Sequence, residues 1–497
     1  MSLSTAFNII SSSFAANAAQ TAVVSNNIAN VNTPGYSREV ANLVANPYGG
    51  ADAASVTRIA NAALAEQVST STAQAAAQQA IANGLATLAA TVDDSSTTSS
   101  TSGADQNGAS PSAMLSNLQS ALTTYEGSPT STSAADAAVT AAKTLAQSLN
   151  AGDAAVNQVR EQADQDMALS VSTINSLLAQ FQTANDAVIG GLASGANVAT
   201  AEDTRDSLIT QLAQQIGVTT TTAANGSMSI YTDSGVTLFQ DTARTVAFTP
   251  TSSYVDGVTG SPVTVDGVPI TGSSSLMPIQ SGALAGYATL RDTLAPQYQA
   301  QLDQIAGGLI NAFAEGDQTA SSQPLLPGLF TTKGATSVPS TSDAAGLAAA
   351  IEVNPSVDPS QGGNATLLRD GGISGNPNYV YNTTGDTSYT ARLQQLVSAI
   401  GSTQSFDASA GLGTSARLTD YANASVSWLQ GENQQTSDAS DYQNALITQA
   451  TSALSNATGV NLDSEMTNML NLENTYASTA KLLTAVNDMF SALLQAA

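Results

Sequence analysis

The chain contains no cysteine and no histidine among its 497 residues. Without cysteine there are no disulfides and no thiolate metal sites. Without histidine the chain lacks the side chain that most often moves protons near neutral pH and most often ligates transition metals. Positive charge is scarce as well: 12 basic residues stand against 38 acidic ones, a formal net charge of −26. No basic stripe exists to neutralise phosphates, which excludes nucleic-acid binding and disfavours anionic membrane surfaces. Aromatic residues make up 5 % of the chain and charged residues 10 %. No apolar run approaches the ~18 residues of a membrane span. The first basic residue is Arg38, so the N-terminal segment has no charged n-region and does not read as a cleaved signal peptide. An extracellular location would therefore imply export by a route that reads no such signal.

What remains is a chain of small, neutral residues with 42 % hydrophobic content, enough for two to four domains with real cores. Its most ordered patterns lie at the two ends. Near the start, Leu3, Phe7, Ile10, Phe14, Ala18, Thr21, Val24, Ile28 and Val31 recur at steps of three and four, one narrow stripe of a helix. Near the end, Leu462, Met466, Met469, Leu472, Tyr476, Ala480, Leu483, Val486, Phe490 and Leu493 repeat the device at the spacing of a coiled-coil seam. Helices with one apolar stripe each are marginal on their own. The stripes are therefore expected to meet each other and further copies, and to be mobile in the free monomer.

The first stripe runs into Asn26, Asn27, Asn30, Thr33, Pro34, Gly35, Tyr36 and Arg38. Asn tolerates the left-handed conformation of helix ends, and Thr33-Pro34-Gly35-Tyr36 reads as a type II turn. The string Asn-Asn-Ile-Ala-Asn…Thr-Pro-Gly-Tyr-Ser-Arg resembles the N-terminal motif of the flagellar rod, hook and hook-associated axial proteins. Gly459-Val460-Asn461-Leu462-Asp463-Ser464-Glu465-Met466 is similar to the matching C-terminal motif. In the middle, Ser281–Phe313, with a Gly-rich turn leading into Arg291-Asp292 and a long helix, resembles the hook-associated, FlgK-type branch. Leu329-Phe330 followed by Val353-Asn354-Pro355, and the block around Asp203-Thr204-Arg205-Asp206, fit the same branch.

Between the ends, helical patterning covers Ser55 to Leu88, a Ser/Thr-rich loop with Gly103 and Gly108 follows, and helices return from Pro111 to about Gly217, including one at Ala155–Ile189 and one at Thr200–Ile216. At Val218 the period changes to short strands, Val218–Thr222, Met228–Tyr231, Val236–Phe239 and Thr245–Phe248, separated by Asn225-Gly226 and Asp233-Ser234-Gly235. Further helices are expected near Leu393–Ile400, Ser415–Trp428 and Ser437–Leu454. The fold class is mainly α with β insertions: terminal coiled-coil-forming helices, a central helical-bundle domain and a small inserted β domain. The expected division is 1–50 with 460–497 as a terminal assembly domain, and 51–234, 281–353 and 388–459 as the helical bundle. Residues 235–280 form the β-rich insert and 354–387 a loop-rich segment.

Candidate chemistry is thin. Glu202, Asp203 and Asp206 around Arg205 could serve as an acid–base pair. Acids in the first turn of a helix also complement its dipole and can pair with the arginine, which is the simpler reading. Asp292 beside Arg291, and Asp463 near Glu465, read likewise. Only Lys143, Lys333 and Lys481 exist, none in a nucleophile motif. There is no EF-hand loop, Walker loop or dinucleotide fingerprint. No catalytic, cofactor or metal site is expected, and no enzyme.

The resemblance implies a structural protein of the bacterial flagellum, a self-assembling junction piece between hook and filament. Its partners would be copies of itself, the hook protein, a second junction protein, and a cytoplasmic export chaperone shielding the C-terminal helix. It would reach the outside through type III export, without a cleaved signal peptide. Another axial protein of hook or rod type is the nearest alternative; a secreted acidic adhesin or hydrolase is the alternative of another class.

Overall fold

The protein is described by a computed structural model covering residues 3–47, 49–93, 110–319, 323–340 and 343–496. The loop expected at Gly103 and Gly108 lies outside the described residues. Both chain ends are helical. Helix α1 (Leu3–Ala29) contains no charged residue. It leads through the turn at Thr33–Tyr36 into an antiparallel hairpin, β1 (Glu39–Ala45) and β2 (Ala51–Arg58), with a bulge between Asn42 and Leu43. Gly35 has φ +79° and the Tyr36 amide donates to Thr33 O at 3.2 Å, as a type II turn requires.

The hairpin corrects the expectation of a helix from Ser55. Ala-rich sequence favours helix, but residues 51–58 pair with 39–45 instead, and α2 (Ala62–Ala89) begins only where Asn61 accepts a hydrogen bond from the Leu64 amide.

The body is built on long helices. Helix α3 (Pro111–Gly127) starts with a Ser110 cap and Pro at its first position. Helix α4 (Thr132–Ser194) runs for 63 residues and ends at Gly195 in the left-handed conformation, giving a rod of about 95 Å at 1.5 Å per residue. It is far longer than expected. The Asn150–Asp153 stretch does not break it; instead Gly152 lets Leu302 approach so closely that a Cβ would sit 2.9 Å from its methyl. Helix α5 (Ala199–Gln215) follows. Four strands, β3 (Val218–Thr222), β4 (Met228–Thr232), β5 (Thr237–Gln240) and β6 (Thr242–Ala243), form one sheet in sequence order. A second sheet joins β7 (Val246–Ala247), β8 (Thr264–Val265) and β9 (Val268–Pro269).

Helix α6 (Ala283–Thr289) passes through a π-helical turn at Leu290–Leu294 into α7 (Ala295–Ala312). The Gly-rich approach has a steric cause. A Cβ on Gly282 would lie 2.4 Å from Ile216 Cα, and one on Gly286 would lie 2.3 Å from Ala77 O. Beyond α7, β10 (Phe330–Thr332) leads through α8 (Leu347–Ala350) to β11 (Ile351–Val353), which pairs Phe330 with Val353. Short helix α9 (Leu367–Asp370) and α10 (Ala391–Ile400) precede the hairpin β12 (Thr403–Ser405) and β13 (Ser415–Arg417).

Helix α11 (Leu418–Thr458) is continuous, where two helices were expected; Gly431 within it faces open space and forces no break. Helix α12 (Leu462–Ala496) closes the chain.

Two apolar cores hold the body. One gathers α2, α3, the first half of α4, α7, α10 and α11 around Leu85, Leu118, Leu145, Leu302 and Leu418. The other joins the second half of α4 with α5, α6 and strands β3 to β8 around Phe181, Leu212, Ile230, Phe239 and Val263. Neither contains a residue from 1–58 or 460–497. The chain ends thus form an arm whose packing is separate from the body.

Candidate assembly site at the paired chain ends

Helices α1 and α12 lie side by side and antiparallel. The Asn17 side chain donates to Leu472 O at 3.0 Å, Asn27 donates to Glu465 Oε2 at 3.3 Å, and Phe14 meets Tyr476 edge-on at 5.1 Å between ring centroids. On α12 the residues turned inward are Glu465, Thr479 and Val486, with Leu472 half-buried. In sequence order each is seven residues from the next, the period of a coiled-coil seam.

On α1 the buried set is Ile10, Ala16, Asn17, Val23, Val24 and Asn27. It is wider than the expected stripe because the hairpin covers a second side: a Cβ on Gly49 would touch Ile9, and one on Gly50 would strike Ser12. Of the residues singled out in the sequence, Ile10, Val24 and Val486 are buried, and Phe14, Ile28, Val31, Met469, Leu472 and Leu483 are half-buried. Phe7, Leu462, Met466, Tyr476, Phe490 and Leu493 face outward, with Met466 54 % and Leu493 60 % exposed. Only the backbone of Leu3 is described. Ala16, Asn17, Val23 and Thr479 were not singled out; Ala16, Asn17 and Thr479 are small or polar and give an apolar-periodicity reading little to detect, and Val23 sits one residue off the stripe through Val24.

The N-terminal motif closes the base of the arm. Asn27 uses every polar atom of its side chain: it donates to Glu39 O and Glu465 Oε2, and accepts from the Glu39 amide and the Tyr36 hydroxyl, both at 2.9 Å. Asn26 donates to Tyr36 Oη and Glu39 Oε2. Asn30 donates back to Asn26 O, and Thr33 donates to Asn30 Oδ1. Arg38 Nε reaches Glu465 Oε1 at 2.6 Å, and its amide donates to Thr458 O at 2.8 Å, where α11 ends. Every motif residue except Pro34 and Gly35, which shape the turn, is tied into this network. Burial raises the Tyr36 hydroxyl pKa well above its usual value, with the carboxylates of Glu39, Asp203 and Glu465 adding to the shift.

The acidic cluster considered for chemistry has a structural partner, though not the expected one. Glu202, Asp203 and Asp206 all pair with Arg58, at 2.9, 2.9 and 2.7 Å. Arg205 turns the other way, donating to Asn185 Oδ1 and Gly226 O. Arg291 is buried against Asp164 and Asp292 and donates to Ser261 O, holding the 251–261 segment on the π-helical turn. Lys143 lies 2.9 Å from Ser360 Oγ, but also 2.9 Å from Asp358, whose carboxyl it holds far below the usual range. The lysine is thus one half of an ion pair with Asp358. Among the described residues no group of three acidic side chains is placed to hold a metal, and no helix is long and apolar enough to cross a membrane.

A body built on long helices thus carries an arm made of both chain ends. Residues 6–36 match the family model described as flagella basal body rod protein. Residues 100–322 match that of the flagellar hook-associated protein FlgK helical domain, and residues 452–496 that of the flagellar basal body rod FlgEFG protein C-terminal. Taken in the order they occupy, these matches show similarity to flagellar axial proteins at both chain ends and to the FlgK helical domain between them. Flagellar hook-associated protein 1 of Escherichia coli (strain K12) is 28 % identical over 164 residues, 31 % of this chain and 28 % of that protein. The flagellar hook junction protein FlgK from Burkholderia pseudomallei has a solved structure at 22 % identity and a TM-score of 0.40, covering 54 % of this chain and 46 % of that one. The chain thus spans less than a third of the length of the E. coli relative and about half that of the Burkholderia one.

Proposed function

We propose that this protein is a self-assembling subunit of the bacterial flagellum, placed at the junction of hook and filament. The observation that carries the reading is the arm: two paired terminal helices, separate from both cores of the body, with Phe7, Met466, Tyr476, Phe490 and Leu493 left facing outward. Apolar side chains in that density on one helix call for a covering surface, and neighbouring copies supply it. Charge favours the same arrangement. Residues 1–58 carry two acids and two bases, and residues 460–497 four acids and one lysine, so nearly all of the net −26 sits on the body. Arms can then pack closely while bodies repel one another outward.

The assembly interface comprises Leu3, Phe7, Ile10, Phe14, Val24, Ile28 and Val31 with Leu462, Met466, Met469, Leu472, Tyr476, Leu483, Val486, Phe490 and Leu493. Its neighbours are further copies, the hook protein on one side and a second junction protein on the other. Before export a chaperone covers α12, and the protein leaves by the flagellar type III route. The test is a deletion strain. Cells that shed unattached filament protein and cannot swim support the reading, and normal attached filaments end it. Complementation with a chain lacking 462–497 should fail, although that truncated body still melts cooperatively.

A further inference from the structure

The arm meets the body at one place. Three chain crossings converge there: Ser37–Arg38 leaving α1, Arg58–Ile59 leaving the hairpin, and Thr458–Gly459 entering α12. No apolar core spans the crossing. What spans it is polar. The Ser37 amide donates to Asp203 Oδ2 at 3.1 Å, the Arg38 amide to Thr458 O, and the Ile59 amide to Arg38 O.

The strongest element is Arg58, whose side chain is 9 % exposed. Its Nε goes to Glu202, Nη1 to Asp203 and Nη2 to Asp206. One planar guanidinium thus reads three carboxylates on the first turns of α5, a geometry that the single ammonium of lysine does not reproduce. The carboxylates overcome burial and raise the Arg58 pKa, while burial raises that of Asp203.

We propose that Arg58 is a positioning residue that fixes the direction of the arm against the body, so that the docking faces of α1 and α12 are presented at one angle. The proposal extends the assembly reading but does not depend on the identity of the neighbours. Three acids gathered around one cation make the joint asymmetric. Without Arg58 the acids repel each other and lose the charge that holds the hairpin, whereas removing acids as well relieves the repulsion.

Because the chain lacks cysteine, Asn474→Cys in the arm and Ser172→Cys in the body allow spin labels at two chosen exposed sites of the full chain. The parent should give one narrow distance distribution. Arg58→Gln should broaden it at least twofold at pH 7.5 without lowering the melting temperature of the body. Arg58→Lys should recover part of the width. Adding Glu202→Gln and Asp206→Asn to Arg58→Gln should narrow it again. A distribution in Arg58→Gln as narrow as the parent's, or a parent already as broad as the variant, overturns the proposal. Either result leaves the junction function to its own motility test.

Discussion

Arg38 and Glu465, 427 residues apart in sequence, form an ion pair at 2.6 Å in which the carboxylate is fully buried and the guanidinium is 29 % exposed. Both belong to the end motifs of the chain, so the two signatures describe one contact. The pair is unequal. Removing the arginine leaves a buried carboxylate with only Asn27 to donate to it, whereas removing the acid leaves an arginine that water can reach. Arg38→Ala is therefore expected to cost the base of the arm about 3 kcal/mol and Glu465→Gln only about 1. Native-state hydrogen exchange at residues 26–30 and 462–468 reads this local stability. Equal losses in the two variants would contradict the argument.

Asn17 occupies the middle of the helix pair. Its amide donates to Leu472 O, while its Oδ1 is buried and accepts no hydrogen bond from the protein. A half-satisfied polar group in an apolar seam lowers stability and selects one alignment. Asn17→Ala should leave arm stability within about 1 kcal/mol of the parent but admit a slip of one heptad. Disulfide trapping measures this. Phe14→Cys with Tyr476→Cys reports the native register, and Phe14→Cys with Leu483→Cys the slipped one. The slipped pair should cross-link only when Asn17 is replaced.

The terminal helices, their motifs and the first strands after Val218 were legible because they follow rules local in sequence: a repeat near 3.5, Asn and Gly at turns, alternation between hairpin signals. The β1–β2 hairpin was not, since residues 51–58 are Ala-rich and become a strand only through pairing with 39–45. The inward faces of α1 were also partly hidden, because Ala16 and Asn17 carry no apolar signal yet are buried. Nor could the chain order reveal that Arg58, rather than Arg205, pairs with the acids of α5. An arginine beside its acids in sequence projects from a different side of the helix, and a distant one arrives by topology.

Gly286 shows why the turn before α7 is glycine-rich. Helices α2 and α6 approach so closely that a Cβ there would meet Ala77 O at 2.3 Å and Ala80 Cβ at 2.9 Å. A backbone oxygen in a long helix cannot swing aside, so Gly286→Ala should destabilise the body by about 3 kcal/mol. Gly127 supplies the contrast. It ends α3, and a Cβ added there would have nothing within 4 Å, so Gly127→Ala should be neutral or stabilise by up to about 1 kcal/mol. Urea unfolding of both variants, followed by circular dichroism, separates the two cases.

Asp303 gives the body a pH dependence of defined sign. Its carboxylate is buried on α7 and accepts the amides of Gly346 at 3.0 Å and Ala348 at 2.7 Å. Burial pushes its pKa up to about 7 despite those amides, and the nearby carboxylates of Asp256 and Asp153 push the same way. Between the ordinary value near 4 of an unfolded aspartate and this folded value, the folded chain holds a proton that the unfolded chain has released. Stability therefore falls as pH rises through that window and levels off above about 7. Asp303→Asn removes the titration and sets an amide N–H against one of the two backbone donors, so it should lower stability at every pH while flattening the slope. Denaturant midpoints at half-unit steps from pH 4.5 to 8 test this as a difference between parent and variant. Asp203 and Glu315, whose pKa values burial also raises, are not among the groups that shift Asp303 and contribute equally to both chains. A difference curve with no slope would remove Asp303 as the titrating group.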